Sequence, residues 1–540
     1  MATKYTSKLQ ALKSAEQYIA GLDGDTPDIQ YIFIGKTDAF NDTDTPNDIS
    51  ESVDVNKRTF RDIIAAKRIN AGDVNLVIPR INWTANMIYR QFDPQQLTSQ
   101  LITSNTSQNL EPMYVMTSDR NVYKCLSNNA GAISTVEPSG DYTTSNGVIS
   151  NDIVSSDGYI WKYMYNVRAA NKFLNTSHMP VPTRNNQDVE TSTVFNLNNT
   201  GVVEGELTTI VVVSGGSNYR NFTNVRVEAF ESGNTTFTVN SAFLSTNMSN
   251  ITVDDIASQN MSITGTGIAA DTVISSVDDI NNKITISKPT TSNGGGSDIA
   301  NNLSLTTRVF VDGDGTGALA NATLSAGSIT KISVDTIGTG YEKCNALVFG
   351  TGTGIDTRVI LAPKFGHAFN LGKDLVANSV MATAKLGLID STENGLIATD
   401  IEFRQVGLFR NPHKFGQNTA VTNSTANDLI SQVTTLQLSS GLSYVDGEKV
   451  FQGSSSNVNF AQAVVHRTKT ATEIEVTGVD GAFRSGVVLE GTISGASRIV
   501  TNITTPEFEP DAADILYVEN VDPVTRVDGQ AEDIRLVLQF

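Results

Sequence analysis

Two cysteines in 540 residues leave this chain without a disulfide framework. Cys125 and Cys344 lie far apart in unlike segments, so both are expected as buried reduced thiols in a protein assembled in a reducing cytoplasm. Histidine is nearly as scarce. None of His178, His367, His413 and His466 has another at i+2, i+3 or i+4, so metal-ligand spacing is missing and structural roles are expected for all four. There is no G-x-S-x-G elbow and no Walker A loop. No run of basic residues offsets the net charge of −19, which argues against a nucleic-acid partner. No apolar stretch approaches the ~18 residues of a membrane span, and MATKYTSKLQALKSAEQ lacks the apolar centre of a secretory signal. No catalytic centre, cofactor or metal is expected.

What is abundant is Asn, Thr, Ser and Gly. They take the place of charged residues, only 18% of the chain, and favour turns and solvated strand faces over helix interiors. The expected class is mainly β, with a short helical region at the start. Ser7-x-x-Gln10 fits a capping box, and Leu9, Leu12, Ala15 and Ile19 share one helical face before Gly21 and Gly24. IQYIFIG, Ile29 to Gly35, reads as a strand. A second helix is expected over about 56–69, with Phe60, Ile63 and Ile64 turned inward.

Three apolar and aromatic blocks stand out. The first, Val74 to Val167, contains VNLVIPRINW, VYKCL and DGYIWKYMYNV; the second is FRQVGLFRNP, Phe403 to Pro412; the third is DILYVEN with IRLVLQF. They are expected to build one core from distant parts of the chain, with Trp83, Trp161, Tyr163, Phe403 and Tyr517 as anchors. Both tryptophans are expected in strands. Pro79 cannot donate to a ladder, which suits a strand edge or end. Arg80, Arg404 and Arg410 flank these blocks and are candidates for pairing with carboxylates of a partner, an intrachain ion pair being the competing reading.

Between the blocks lies an internal repeat. GELTTIVVVSGGSNY, Gly205 to Tyr219, aligns without gaps on GSITKISVDTIGTGY, Gly327 to Tyr341, with a fainter third copy at Val433 to Tyr444. Each copy reads as a strand running into a Gly turn closed by a Tyr. Gly216 and Gly338 supply φ > 0, while the rings of Tyr219 and Tyr341 cover the turns and their hydroxyls find backbone partners. Such repeats are architectural more often than chemical. Asp312-Gly-Asp314-Gly-Thr316-Gly317 imitates the start of an EF-hand loop, but its twelfth position is Thr323, so a β-turn is expected. GTGTG, Gly350 to Gly354, lacks the Lys and helix of a phosphate cradle and reads as a loop between strands.

VIPRINW, VYKCL, DGYIWKYMYNV, FRQVGLFRNP and ILYVENVDPVTR…IRLVLQF occur in that order. Together they make the chain resemble the baseplate wedge subunits of T-even-like contractile-tailed bacteriophages (the gene product 8 type). The resemblance implies a non-catalytic virion protein: a β-rich homodimer, with a sandwich-type body, that contacts other wedge proteins, is assembled in the host cytoplasm and moves when the tail sheath contracts. It covers residues 1–195, 365–430 and 506–540, expected as parts of one wedge body. Residues 196–364 and 431–505 are then inserted β modules that could meet a tail fibre or the host surface, and deleting 200–362 is expected to leave a soluble, dimeric body. The alternative is a tail-fibre or adhesin-like protein that binds host glycans.

Overall fold

In the computed structural model the described residues are 7–22, 27–41, 43–49, 52–94, 112–140, 143–145, 148–150, 152–182, 204–239, 252–294, 303–363, 366–386, 401–441, 444–527 and 531–540. The fold is mainly β, in several sheets and a closed barrel. Two compact units form. One comprises Met1–Ile78, Ala170–Asn186 and Ala377–Phe540; the other comprises Pro79–Ala169 and Gln187–Val376. These cuts differ from the sequence-drawn map. VNLVI belongs to the first unit, whereas VYKCL and DGYIWKYMYNV share the second with the repeats.

The first unit holds a five-stranded antiparallel sheet in the order Leu429–Ser431, Ile63–Ile69, Gln30–Gly35, Ile401–Arg410, Asp514–Arg526. Gln30–Gly35 is buried along its whole length, as a central strand covered on both faces should be. The Ser7–Gly21 helix forms, and Leu12, Ala15 and Ile19 are buried. Leu9's side chain and Gly24 lie outside what is described. The second helix is shorter than expected. It spans Val53–Arg61, capped by Ser52 Oγ on Val55 N (3.2 Å), and it does bury Phe60. Ile63–Ile69 is instead a strand. Its β-branched isoleucines fit a pleated surface better than a helix, and the flanking strands satisfy its backbone groups. A four-stranded sheet, in the order His178–Pro180, Val74–Pro79, Ser379–Leu386, Glu532–Gln539, completes the framework, with Pro79 at a strand end.

Residues 431–505 contain the closed barrel, in the order Thr434–Leu438, Glu473–Gly481, Val458–Thr470, Lys449–Ser455, Val488–Gly491, Ser497–Thr504. It has its own core around Leu436, Val450, Val465, Val476 and Leu489. The fainter third repeat copy supplies its first strand, and Tyr444 there donates to Leu489 O (2.7 Å), a different setting from the other two copies. His466 sits at a bulge between Val465 and Arg467. It is buried, and neither ring nitrogen has a hydrogen-bond partner among the described residues. Burial, aided by Arg467 and opposed by Glu475, pulls its pKa down to about 4. A depressed folded pKa gives stability that is full above the unfolded value and is lost as pH falls through the folded one. The window is therefore about pH 6.5 down to 4, worth about 3 kcal/mol at its lower end. His466→Leu is expected to flatten the denaturation midpoint across that window; an unchanged pH profile would show that another group controls it.

In the second unit the repeat proves larger than the sequence shows. A six-stranded sheet runs in the order Cys344–Phe349, Arg308–Gly313, Thr316–Ser325, Ser328–Thr339, Leu207–Ser217, Thr353–Leu361. The last three strands in chain order before Gly340, from Arg308 to Thr339, form one three-stranded set. Cys344–Phe349, Thr353–Leu361 and Leu207–Ser217 form its equivalent. Register shows the relation: Thr316↔Thr339, Asn321↔Ser333 and Leu324↔Ile329 correspond to Ser217↔Thr353, Val211↔Arg358 and Leu207↔Leu361, and both bulges recur. Equivalent residues pair with each other at Ile210↔Ile332 and Phe310↔Leu347, so a local two-fold axis passes through both pairs. GDGTG (Gly313 to Gly317) and GTGTG (Gly350 to Gly354) are thus one turn used twice, neither a calcium loop nor a phosphate cradle.

The Gly–Tyr pairs explain why these turns need glycine. Gly216 and Gly338 have φ of 62° and 61°. A Cβ would lie 2.8 Å from Tyr219 Cε2 at the first and 2.7 Å from Tyr341 Cε2 at the second. Both rings are buried, and in each copy a backbone N–H, Ile355 or Ala318, donates to the hydroxyl.

Residues 222–306 form a separate module of two three-stranded sheets with its own core, including Phe230, Phe237, Ile263, Ile284 and Leu305. At its base Thr307 N donates to Asn221 Oδ1 (2.7 Å), so the chain enters and leaves at one point. Joining Asn221 to Thr307 is therefore expected to keep the six-stranded sheet intact and the tryptophan-monitored unfolding midpoint nearly unchanged. Aggregation of that variant would place the module in the unit's core. The wider deletion of 200–362 removes all six strands of that sheet along with the module.

Candidate functional site

The best-built polar site is buried in the second unit, in a sheet ordered Tyr114–Met116, Asn121–Ser127, Ile160–Asn166, Asp152–Val154. Side chains alternate between faces. Tyr123, Cys125, Trp161 and Tyr163 lie on one face with Tyr89 and Tyr159, where Trp161 stacks on Tyr159 with 5.4 Å between ring centres. The opposite face carries Lys124 and Lys162, which are direct cross-strand partners. Like charges so placed repel, and both side chains are buried, 0% and 4% exposed.

Three carboxylates answer them. Asp374 lies 3.3 Å from Lys124 Nζ, Asp152 lies 3.0 Å from Lys162 Nζ, and Glu206 lies 4.0 Å from Lys162 Nζ. Asp374 also accepts the backbone N–H of Ala368. The Phe92 ring lies beneath Lys124, 4.4 Å from Nζ, and packs edge-on against His367. His367 Nε2 is 2.8 Å from Thr208 Oγ1 and 3.8 Å from Glu206.

Burial shapes every proton in the cluster. It lowers the Lys124 pKa, a fall that Asp374 opposes. It opposes the charge on Lys162 too, but Asp152 and Glu206 hold that group above its usual range. Burial pushes Glu206 up to about 7, and burial with the two lysines keeps His367 neutral. The arrangement can hold elements together. It offers no reacting group to a substrate, because Lys124, Lys162, Glu206, His367 and Asp374 are all buried.

A second ionic contact lies nearby. Arg358, on the six-stranded sheet, makes a two-pronged pair with Asp93, at 3.0 and 2.7 Å. Glu206 and Arg358 therefore join the repeat sheet to the aromatic sheet and to the segment carrying Phe92 and Asp93.

The residues singled out in the sequence lie elsewhere. Trp161, Tyr163 and Phe403 are buried. Trp83 lies outside any strand, half-buried, with Nε1 donating to Ser134 Oγ (3.2 Å). Tyr517 is half-buried, its hydroxyl donating to Glu519 (2.7 Å). Arg404 is 6% exposed and is saturated within the chain by Asp44, Glu402 and Thr37 O, which removes it as a docking residue. Arg410 is half-exposed beside Asp514 (3.2 Å) and Asp28 (3.7 Å), and Arg80 donates to Asn82 (3.0 Å). Cys125 and Cys344 are free thiols. Among the described residues no group of three or more His, Cys, Asp or Glu is placed to hold a metal, and no helix is long and apolar enough to cross a membrane.

The missed residues did leave a signal. Lys124 sits between Val122 and Leu126 at i±2, and Lys162 between Ile160 and Met164. A lone charge on the apolar face of a strand calls for a buried partner. Comparison with known proteins finds no family model and no curated relative that matches this chain.

Proposed function

We propose that this chain is a structural subunit of a contractile phage tail baseplate, of the wedge type. It holds neighbouring tail proteins in place and carries out no catalysis. The observation that carries the reading is the five-stranded sheet, in which FRQVGLFRNP on Ile401–Arg410 and DILYVEN on Asp514–Arg526 lie in adjacent strands. These two motifs, distant along the chain, thus meet in one sheet, while the barrel and the 222–306 module keep cores of their own.

In this reading the framework forms a homodimer and binds other wedge proteins through large interfaces of about 2,000 Å² or more. The module at 222–306 is the part offered to a tail fibre or the host surface, and the protein resides in the virion tail. Sedimentation of the purified chain, alone and with the other tail proteins of its virion, tests this. A dimer that joins a larger complex is expected. A trimer that binds cells and no tail protein would replace the wedge with an adhesin.

A further inference from the structure

The first unit contains a cavity of about 260 Å³ lined by Lys67, Lys172, Lys385, Thr383, Asp73 and Asp533, among others. Its geometry follows from strand alternation. Thr383 and Lys385 share one face of Ser379–Leu386, and Thr383 Oγ1 donates to Asp73 O (3.2 Å). Asp533 is the cross-strand partner of Lys385 and so lies on that face too. Lys67 comes from the five-stranded sheet and donates one hydrogen bond to Lys385 O (2.7 Å), which leaves two of its N–H groups for another acceptor.

Charge in the cavity does not balance. Asp73 already accepts Asn70 N (3.1 Å) and lies 3.4 Å from Lys172, and Asp533 is held by Arg535 (2.6 Å). Neither Lys67 nor Lys385 has a carboxylate within 4.0 Å among the described residues. Three lysines and Arg68 thus line the cavity against two engaged carboxylates, which leaves positive charge over in a chain of net charge −19. The volume far exceeds the roughly 30 Å³ share of one water molecule.

We propose that this cavity is a phosphate site, taking a doubly charged tetrahedral oxyanion that is either free or the terminal group of a monoester. Lysines act as flexible point charges with three donors each, which suits a phosphate dianion. A monocarboxylate would leave part of the surplus unpaired. The site does not depend on the tail function proposed above.

Titration calorimetry of the full chain at pH 7.5 and constant ionic strength tests it, with inorganic phosphate, glycerol 3-phosphate and acetate as probes. Saturable one-to-one binding is expected for inorganic phosphate and none for acetate. Lys67→Gln/Lys385→Gln is expected to weaken phosphate binding about tenfold or more, as loss of charge-assisted hydrogen bonds implies. Should that pair melt below the wild type in phosphate-free buffer, Lys172→Gln/Lys385→Gln, which keeps the Lys67 bond, serves instead. Equal or tighter glycerol 3-phosphate binding assigns the site to monoesters, and weaker binding assigns it to the free ion. A non-saturating phosphate isotherm, acetate binding as tightly as phosphate, or undiminished affinity in the variants would overturn the proposal.

Discussion

Lys124→Met is expected to cost the second unit about 3–5 kcal/mol, the usual effect of stranding one member of a buried ion pair. Lys124 is fully buried and Asp374 is 4% exposed, so no water takes over when the ammonium goes. Among the described residues Asp374 would keep the Ala368 N–H as its hydrogen-bond donor, with Lys162 as the remaining cation of the cluster. Adding Asp374→Asn should restore most of the loss, since the amide oxygen still accepts from Ala368 and no bare charge remains. The measurement is a double-mutant cycle in chemical denaturation. Tryptophan fluorescence reports this unit selectively, because Trp83 and Trp161 both belong to it. Additive losses in the cycle would mean that the pair does not couple, and the clasp would be refuted.

Gly407→Val is expected to destabilise the first unit by about 3 kcal/mol, the upper end for overpacking. Gly407 lies in the middle of Ile401–Arg410, where a Cβ would stand 2.4 Å from Tyr517 O and 2.5 Å from Phe33 Cε1 and Cζ. The Phe33 ring occupies the space where a side chain would sit, and the neighbouring strand's carbonyl prevents the backbone from yielding. Phe33→Ala alone should also destabilise, by about 3–5 kcal/mol, as a buried aromatic lost from this core. The double variant should cost less than the sum if the ring is what excludes the side chain. Calorimetric midpoints of the four proteins decide this, and strict additivity would leave the contact with the Tyr517 carbonyl as the sole cause.

Much of the architecture was legible where local pattern and final environment agree. The Ser7–Gly21 helix follows from its apolar spacing, and Gln30–Gly35 from an apolar run with β-branched residues. Ile63–Ile69 was misread because Phe60, Ile63 and Ile64 fit a helical face as well as a buried strand over so short a span. The flanking strands decide that case, and they come from residues 30–35 and 429–431. Only one strand of the three-stranded repeat was visible. The 222–306 module separates Leu207–Ser217 from its companions and permutes their order, so no single alignment brings the two copies together.

By itself the amino-acid sequence determined the β class, the Gly–Tyr turns and the alternation that puts Lys124 and Lys162 on an apolar face. These depend on φ, on period and on side-chain type, all local quantities. Tertiary structure alone decided which segments share a unit, where the two-fold axis passes and which acids meet the lysines. Those outcomes rest on strand register and on matching buried charge between residues as distant as Lys124 and Asp374, and nothing within a short window of sequence encodes such a pairing.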